Sequence, residues 1–385
     1  MRPAYFAIAR DFLLTLPRLL WASLQVLLEQ MTRKPPDRLQ KFTSSAWLSR
    51  ELGFDPKLLK SASLEQVHSG TATRSRLHIR YSADLAQAPG PASLFIKSRP
   101  PDFASALFGV LFDLGGNEVS FYRHIRRDSP VKSPEVYYCE GSSRNYVMLL
   151  EDLTNKGCSF RDLASRCSLE EARSVVTTLA RLHARFWQSE RFETDLAWVH
   201  CFETNRDHRL LNLVRQLSVP ISFEKFGHVL PAAIREVAPH LMDNYPRLEE
   251  QWALEPRTLI HGDAHLGNMY FQDGQAGLLD WQVHQRGQGM RDVSYFLINS
   301  LATEFRVAHQ EQLIRHYLAT LGDLGVSLDF ETAWRQYRLQ SVYAWIAGVV
   351  TAPSNFQDER VVAAGLSRSC QAILDLDAIE LIREL

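Results

Sequence analysis

Apolar residues crowd the start of this chain without a clean period. Phe12 to Leu28 reads FLLTLPRLLWASLQVLL, interrupted by Pro17, Arg18 and Gln25. The run predicts a helix that is apolar on several sides. A membrane span needs about 20 predominantly apolar residues, and this stretch is shorter and charged near its centre. Three placements stay open: packed on the protein's own body, lying in a membrane interface, or a span or secretory signal. The first is preferred, since no small-x-small cleavage site follows. Residues 32–39, TRKPPDRL, then read as a polar linker.

A short helix is expected over Ser44–Leu52, with Ala46, Trp47 and Leu52 as its apolar residues. From Leu64 to Leu153 the pattern turns to strands. Leu77–Tyr81 alternates apolar and polar positions, while Leu94–Ile96 and Tyr146–Leu150 are short apolar runs fit for buried strands. Between them Asn117–Arg126 reads as a helix, with Val119, Tyr122 and Ile125 on one side. After Leu153 the period becomes helical. Ser168-Leu-Glu-Glu171 has the form of a capping box. Ala172, Val175, Val176, Leu179, Leu182 and Phe186 follow at helical spacing, and 305–350 and 359–383 read as helices too. A small sheet-rich segment therefore precedes a larger helical one, with the boundary near residue 152.

Composition narrows the class. The chain has 385 residues, enough for two lobes with separate cores. Its 43 basic and 44 acidic residues nearly cancel. No basic run stands out, so a nucleic-acid partner is not expected. The five cysteines are odd in number and form no C-x-x-C pair, which fits a reducing compartment better than a disulfide framework.

The chemistry concentrates in one segment. Leu259-Ile-His261-Gly262-Asp263-Ala264-His265-Leu266-Gly267-Asn268 is followed by Gly277-Leu-Leu-Asp280-Trp281. Asp263 is a loop carboxylate, Asn268 an amide five residues later, and Asp280 a carboxylate that ends an apolar run. Phosphoryl transfer needs a carboxylate to orient the attacking hydroxyl and accept its proton. It also needs an amide and a second carboxylate to hold Mg²⁺ on the phosphates. A metal-hydrolase site built from His261, Asp263 and His265 is the rival reading; it leaves the rest of the chain unused.

H-G-D-x-H-x-x-N followed by L-D-W resembles the catalytic loop and metal motif of the aminoglycoside phosphotransferase and choline kinase-like superfamily. It also parallels the protein-kinase catalytic loop. The resemblance covers roughly residues 45 to 350 and implies a role for each matched residue. Asp263 would be the base, and Asn268 and Asp280 the metal ligands. His265 stands where protein kinases often carry a lysine that reaches the γ-phosphate, and is open between that role and a scaffold. Lys97 in Leu94-Phe-Ile-Lys97 would pair with Glu118 in Asn117-Glu118-Val-Ser-Phe-Tyr122. Val147-Met-Leu-Leu-Glu151-Asp152-Leu153 resembles the hinge, whose Glu151 carbonyl and Leu153 N–H would meet the base of the nucleotide. Asp292 resembles the aspartate that supports the catalytic loop.

Two departures matter. The phosphate-covering loop would be His68-Ser69-Gly70-Thr71-Ala72-Thr73, in which Gly70 and Thr71 are the candidate contacts; it carries a single glycine. No Walker A sequence exists, which removes the P-loop route. Asp280 is followed by Trp281-Gln282, a form closer to the ecdysteroid-kinase-like and choline-kinase-like branch than to the drug-resistance enzymes.

The resemblance implies an α+β, protein-kinase-like two-lobe fold with a small antiparallel-sheet N-lobe and a larger helical C-lobe. The expected divisions are 1–39 for the apolar helix and linker, 40–152 for the N-lobe, and 153–385 for the C-lobe. ATP (or GTP) with Mg²⁺ is expected in the cleft between lobes, with a small-molecule hydroxyl as acceptor. Trp334, Tyr337, Tyr343, Trp345 and Phe356 hint at a hydrophobic or sterol-like alcohol, although plain core explains them as well. A cytoplasmic protein is expected, with peripheral membrane contact through residues 12–28 as the open alternative. A nucleotide-binding pseudokinase and an aminoglycoside-type antibiotic kinase are the competing functions. His183 is expected to be a satisfied core histidine.

Overall fold

A computed structural model describes residues 2–32, 39–69, 71–82, 88–201, 208–354 and 357–385. The chain has an α+β fold: an antiparallel sheet in its N-terminal region and mostly helices after it. It separates into two compact units. The smaller comprises 13–127 and 133–157, the larger 1–12, 128–132 and 158–385.

Helix α1 (Arg2–Thr32) runs unbroken through Pro17. Ile8–Met31 is long and apolar enough to cross a membrane by length and composition. In the smaller unit, α2 (Ser45–Leu52) ends at Gly53 in the left-handed region, and strands β1 (Leu59–Ser69), β2 (Thr73–Tyr81) and β3 (Ser93–Ser98) follow. Then come α3 (Phe103–Leu111), α4 (Leu114–His124), β4 (Val136–Glu140) and β5 (Val147–Glu151). The five strands form an antiparallel sheet in the order β1-β2-β3-β5-β4.

Period-two alternation sorts the sheet's faces. Leu77, Ile79, Leu94, Ile96 and Leu149 pack with Phe42, Leu48 and Phe54 into one core. Trp47 closes its rim, edge-on to Phe42 at 4.6 Å and to Tyr138 at 5.2 Å. Lys97 lies on the other face, directly across from Met148. Helix α3 escapes a period-based reading because FASALFGVL is apolar on every side; Asp102 caps it through the Ser105 N–H at 2.8 Å.

In the larger unit, β6 (Ser159–Phe160) precedes α5 (Leu169–Arg185). The capping box at Ser168 and Glu171 is formed as the sequence implies, with hydroxyl and carboxylate each taking an exposed backbone N–H. Helices α6 (His208–Phe226), α7 (Ala232–Asp243) and α8 (Tyr245–Trp252) lead to β7 (Thr258–Ile260), β8 (Met269–Gln272), β9 (Gln275–Leu278) and β10 (Gln285–Gly287). Helices α9 (Met290–Ser300), α10 (Thr303–Asp323), α11 (Phe330–Thr351), α12 (Glu359–Asp375) and α13 (Ala378–Arg383) complete it. The main helical core draws Leu241, Leu248, Trp345, Val349, Leu366 and Ile373 together. Helix α9 is buried at every position from Asp292 to Ser300, so its polar residues face protein and must find partners there.

Candidate active site

The segment 261–281 is a β-hairpin with a loop at its entrance. Strands β8 and β9 pair with Met269 opposite Leu278. Extending that register by one residue sets Asn268 against Leu279, whose N–H donates to the Asn268 carbonyl at 2.8 Å. Asp280 is therefore the neighbour of the residue facing Asn268. The backbone then turns sharply, with Asp280 in the left-handed region at φ 63°. A non-glycine residue there is uncommon, and such positions cluster at functional sites.

Asn268 is aimed by Asp263. Its amide nitrogen donates to the Asp263 carbonyl at 3.0 Å and to Asp263 Oδ2 at 2.8 Å. With the nitrogen committed, the amide oxygen is the atom of this side chain that can face a cation. Asp263 is open to solvent, its side chain 36% accessible, where Asn268 is 8% exposed. Gly262 must be glycine: its φ is 84°, and a Cβ would stand 2.2 Å from the Val283 carbonyl oxygen.

Beneath the loop, α9 supplies a polar stripe at helical spacing. Asp292 accepts the His261 N–H at 2.6 Å and the Gly262 N–H at 2.8 Å. It also faces His183 Nε2 at 3.2 Å, while His183 Nδ1 lies 2.9 Å from the Tyr317 hydroxyl. His183 is fully buried and engaged at both ring nitrogens. Burial pushes the Asp292 carboxyl up, but the bond and charge of His183 and the His261 N–H outweigh it. The net effect holds it below the usual 3.8. Three residues on, the Tyr295 hydroxyl lies within reach of the Asp263 carboxylate's charge. Burial first, then the charge of Asp263, keeps Tyr295 protonated far above the usual range. Ser300 accepts the Leu266 N–H at 2.9 Å.

The two loop histidines make hydrogen bonds within the loop. His261 Nε2 lies 2.8 Å from the Leu279 carbonyl, so its ring N–H donates there, and Nδ1 accepts the Asp263 N–H at 3.3 Å. His265 Nδ1 accepts the Gly267 N–H at 3.0 Å, and its Nε2 stands 3.6 Å from Asp263 Oδ2. Among the described residues no cluster of three His, Cys, Asp or Glu side chains is gathered for a metal. The remaining donors, the Asn268 amide oxygen and the Asp280 carboxylate, are hard oxygens, which suit Mg²⁺.

In the smaller unit, Lys97 Nζ and Glu118 Oε2 are 2.7 Å apart, with side chains only 5% and 1% exposed. The strand β3 and helix α4 thus bring together the lysine and glutamate that the sequence singled out. Glu151 ends β5 and Leu153 opens the short turn after it, a turn capped by Asp152. Asp152 also binds Arg76 at 2.8 Å and Ser93 at 2.7 Å, fixing the chain at this exit. A cavity of about 620 Å³ is lined there by Glu51, Ser93, Tyr137, Glu151 and Lys156 among others; Lys97 does not line it. Thr71 falls in the turn joining β1 and β2, where Ser69 pairs with Thr73. Gly70 lies outside the described residues, as does Phe356.

Sequence reading missed Tyr295. The signal was available: Asp292, Tyr295 and Ser300 put polar atoms on a helix otherwise buried on all sides. Of the aromatic residues noted earlier, Tyr337 and Trp345 are core, each 0% exposed. Tyr343 is different. Its hydroxyl donates to the Gly262 carbonyl at 3.1 Å, and its ring lies 5.7 Å from that of Tyr295.

The family model for ecdysteroid kinase-like proteins matches residues 117–330, more than half of the chain. The chain belongs to the ecdysteroid kinase-like family. That membership bears out the resemblance carried by Asp280-Trp281-Gln282. The matched span includes Glu118, Asp263, Asn268, Asp280 and Asp292; Lys97 and Thr71 precede it. No curated protein matches the sequence. Among solved structures, a protein from Ralstonia eutropha JMP134 assigned as an aminoglycoside phosphotransferase aligns with a TM-score of 0.52 at 13% identity. The alignment covers 88% of this chain and 97% of that one. An ethanolamine kinase from Plasmodium vivax aligns with a TM-score of 0.52 at 11% identity, over 89% of this chain and 94% of that one. At such identities the likeness is one of fold. This ecdysteroid kinase-like chain is accordingly a member of the kinase-like phosphotransferases.

Proposed function

We propose that this chain transfers the γ-phosphate of ATP or GTP to the hydroxyl of a neutral, ring-bearing or otherwise apolar small molecule. One observation carries the reading: the β8–β9 register sets Asn268 next to Asp280, while the Asn268 amide is tied to Asp263. A base and two oxygen donors for a cation are thereby fixed on one hairpin.

Each residue then has a task. Lys97, held by the buried Glu118 carboxylate, grips the α- and β-phosphates. Asn268 and Asp280 would hold the Mg²⁺, which when bound draws charge from the phosphate oxygens. Asp263 orients the acceptor hydroxyl and takes its proton as the new phosphate ester bond forms and the bond to the departing nucleoside diphosphate breaks. Tyr295 and Asn268 keep the Asp263 carboxylate pointed. Glu151 and Leu153 are the backbone contacts for the nucleotide base, and Thr71 covers the phosphates.

The acceptor class follows from what surrounds Asp263. Tyr343, hydrogen-bonded to the Gly262 carbonyl, lies beside Tyr295, and the Arg291 guanidinium lies 4.3 Å from the Tyr343 ring centre. The Arg291 charge beside this loop disfavours a polycation such as an aminoglycoside and leaves an uncharged alcohol the better match. A coupled assay of nucleotide diphosphate release tests this, run across sterols, other apolar alcohols, amino alcohols and aminoglycosides. Turnover stimulated by an uncharged alcohol and abolished in Asp263→Ala is expected. Stimulation by aminoglycosides alone overturns the acceptor class. Stimulation by no acceptor class, with nucleotide still bound, marks a binding module instead.

A further inference from the structure

We propose that the exposed face of α1 docks this protein flat on an anionic membrane surface. The helix offers two contrasting sides. Ala22 and Val26 are 5% and 1% exposed, and at about 100° per residue they share one face. Arg18 donates to the Leu111 carbonyl and Gln30 to the Pro101 carbonyl at 2.8 Å, so this side is held on the smaller unit. The opposite side is apolar and open: Leu13 is 66% exposed, Leu20 62%, Trp21 62%, Leu24 45%, Leu27 47% and Met31 83%. These six span an arc of about 120° and a length of roughly 27 Å. The six expose roughly 700 Å² of largely apolar surface, above the few hundred usual on a soluble monomer.

Charge decides the occupant. Between Leu13 and Met31 the charged residues are Arg18 and Glu29. Arg18 is turned to the body, and at helical spacing Glu29 falls on the buried side. Both ends are basic. Arg2 and Arg10 precede the stripe, opposed by Asp11 alone, with which the 69% exposed Arg10 side chain is paired at 3.0 Å. Arg33, Lys34, Arg38 and Lys41 follow it, opposed by Asp37 alone. A second copy of this helix would set basic end against basic end, in parallel or antiparallel orientation. Anionic headgroups complement both ends at once. Because Ala22, Val26 and Gln30 are engaged on the opposite side, the helix lies in the interface plane and does not cross the bilayer.

Flotation of the full chain with lipid vesicles tests this without reference to phosphotransfer. Vesicles of phosphatidylcholine alone are compared with vesicles containing about a third phosphatidylserine. The expected result is recovery with the anionic vesicles, weakened by added salt. The double variant Leu24→Glu, Leu27→Glu should lose about tenfold or more of the bound fraction, with an unchanged thermal midpoint showing that it folds. Equal recovery of wild type and variant, or recovery with neither vesicle, overturns the proposal. A wild type that sediments as a dimer, fails to float, and becomes monomeric in the double variant also overturns it, and assigns the face to a second copy.

Discussion

Replacing Asp292 by Asn is the sharpest perturbation of the loop that carries Asp263. The change is nearly isosteric and leaves no cavity. It exchanges one carboxylate oxygen for an NH₂ group in a fully buried place. Asp292 Oδ2 accepts the His261 N–H and faces His183, and Oδ1 accepts the Gly262 N–H. Whichever way the amide turns, its nitrogen meets a donor. Turned the better way, it still leaves the Gly262 N–H unpaired and takes the negative charge from the other two contacts. Hydrogen bonds to charged groups contribute about 1.5–3 kcal/mol each, and breaking a buried ionic contact costs about 3–5 kcal/mol. A loss of about 3–5 kcal/mol in unfolding free energy is expected, read from urea denaturation. The loop also relaxes, and a displacement of about 1 Å at a catalytic group costs on the order of 100-fold in kcat. KM for nucleotide should change little, since Lys97 and Glu118 are untouched. The sign of the pH effect follows from the lowered carboxyl. Its stabilisation is complete above the ordinary 3.8 and is lost as pH falls through the folded value, so wild type and variant converge in strong acid. An Asp292→Asn protein with unchanged midpoint and kcat at neutral pH would refute the role given to this carboxylate.

Other expectations follow from the same geometry. Tyr295→Phe removes the hydroxyl beside the Asp263 carboxylate and should lower kcat roughly 10- to 100-fold, with nucleotide KM and thermal midpoint nearly constant; steady-state kinetics decide it. His284 is buried beside the Trp281 carbonyl, and burial brings its pKa from 6.5 down to about 4. It therefore stabilises the fold above pH 6.5 and loses that contribution as pH falls toward 4, about 2 kcal/mol between pH 7 and pH 5. Denaturation at the two pH values should show that loss in wild type and a flatter response in His284→Gln. Arg306, wholly buried, pairs with Asp375 and donates to Gln310 at 2.6 Å. Arg306→Met should cost about 2–4 kcal/mol, less than a fully buried pair because Asp375 keeps solvent contact; an unchanged urea midpoint would contradict this.

What could be read from the chain alone was whatever local backbone chemistry dictates. Ser168 and Glu171 cap their helix because both partners lie within one turn. Lys97 and Glu118 could be paired only through the resemblance to the kinase-like superfamily, whose strand lysine and helix glutamate they match. The Asp263, Asn268 and Asp280 set was visible because a tight hairpin joins its halves within a short stretch. Tyr295 was not, since its importance comes from facing a loop about thirty residues earlier in sequence. Helix α3 was missed because an all-round apolar segment has no period to detect. The sidedness of α1 was hidden for the same reason; only the packing of Ala22 and Val26 separates its two faces. The aromatic residues after 330 were legible as a group but not individually: Trp345 serves the core, Tyr343 the catalytic loop.

Binding of Mn²⁺ with a non-hydrolysable ATP analogue, followed by electron paramagnetic resonance, tests the assignment of Asn268 and Asp280 most directly. Wild type should show a nucleotide-dependent protein-bound Mn²⁺ signal that Asp280→Asn removes and Asn268→Ala weakens, while Asp263→Ala keeps it. A bound-metal signal unaffected by both Asp280→Asn and Asn268→Ala would contradict the account.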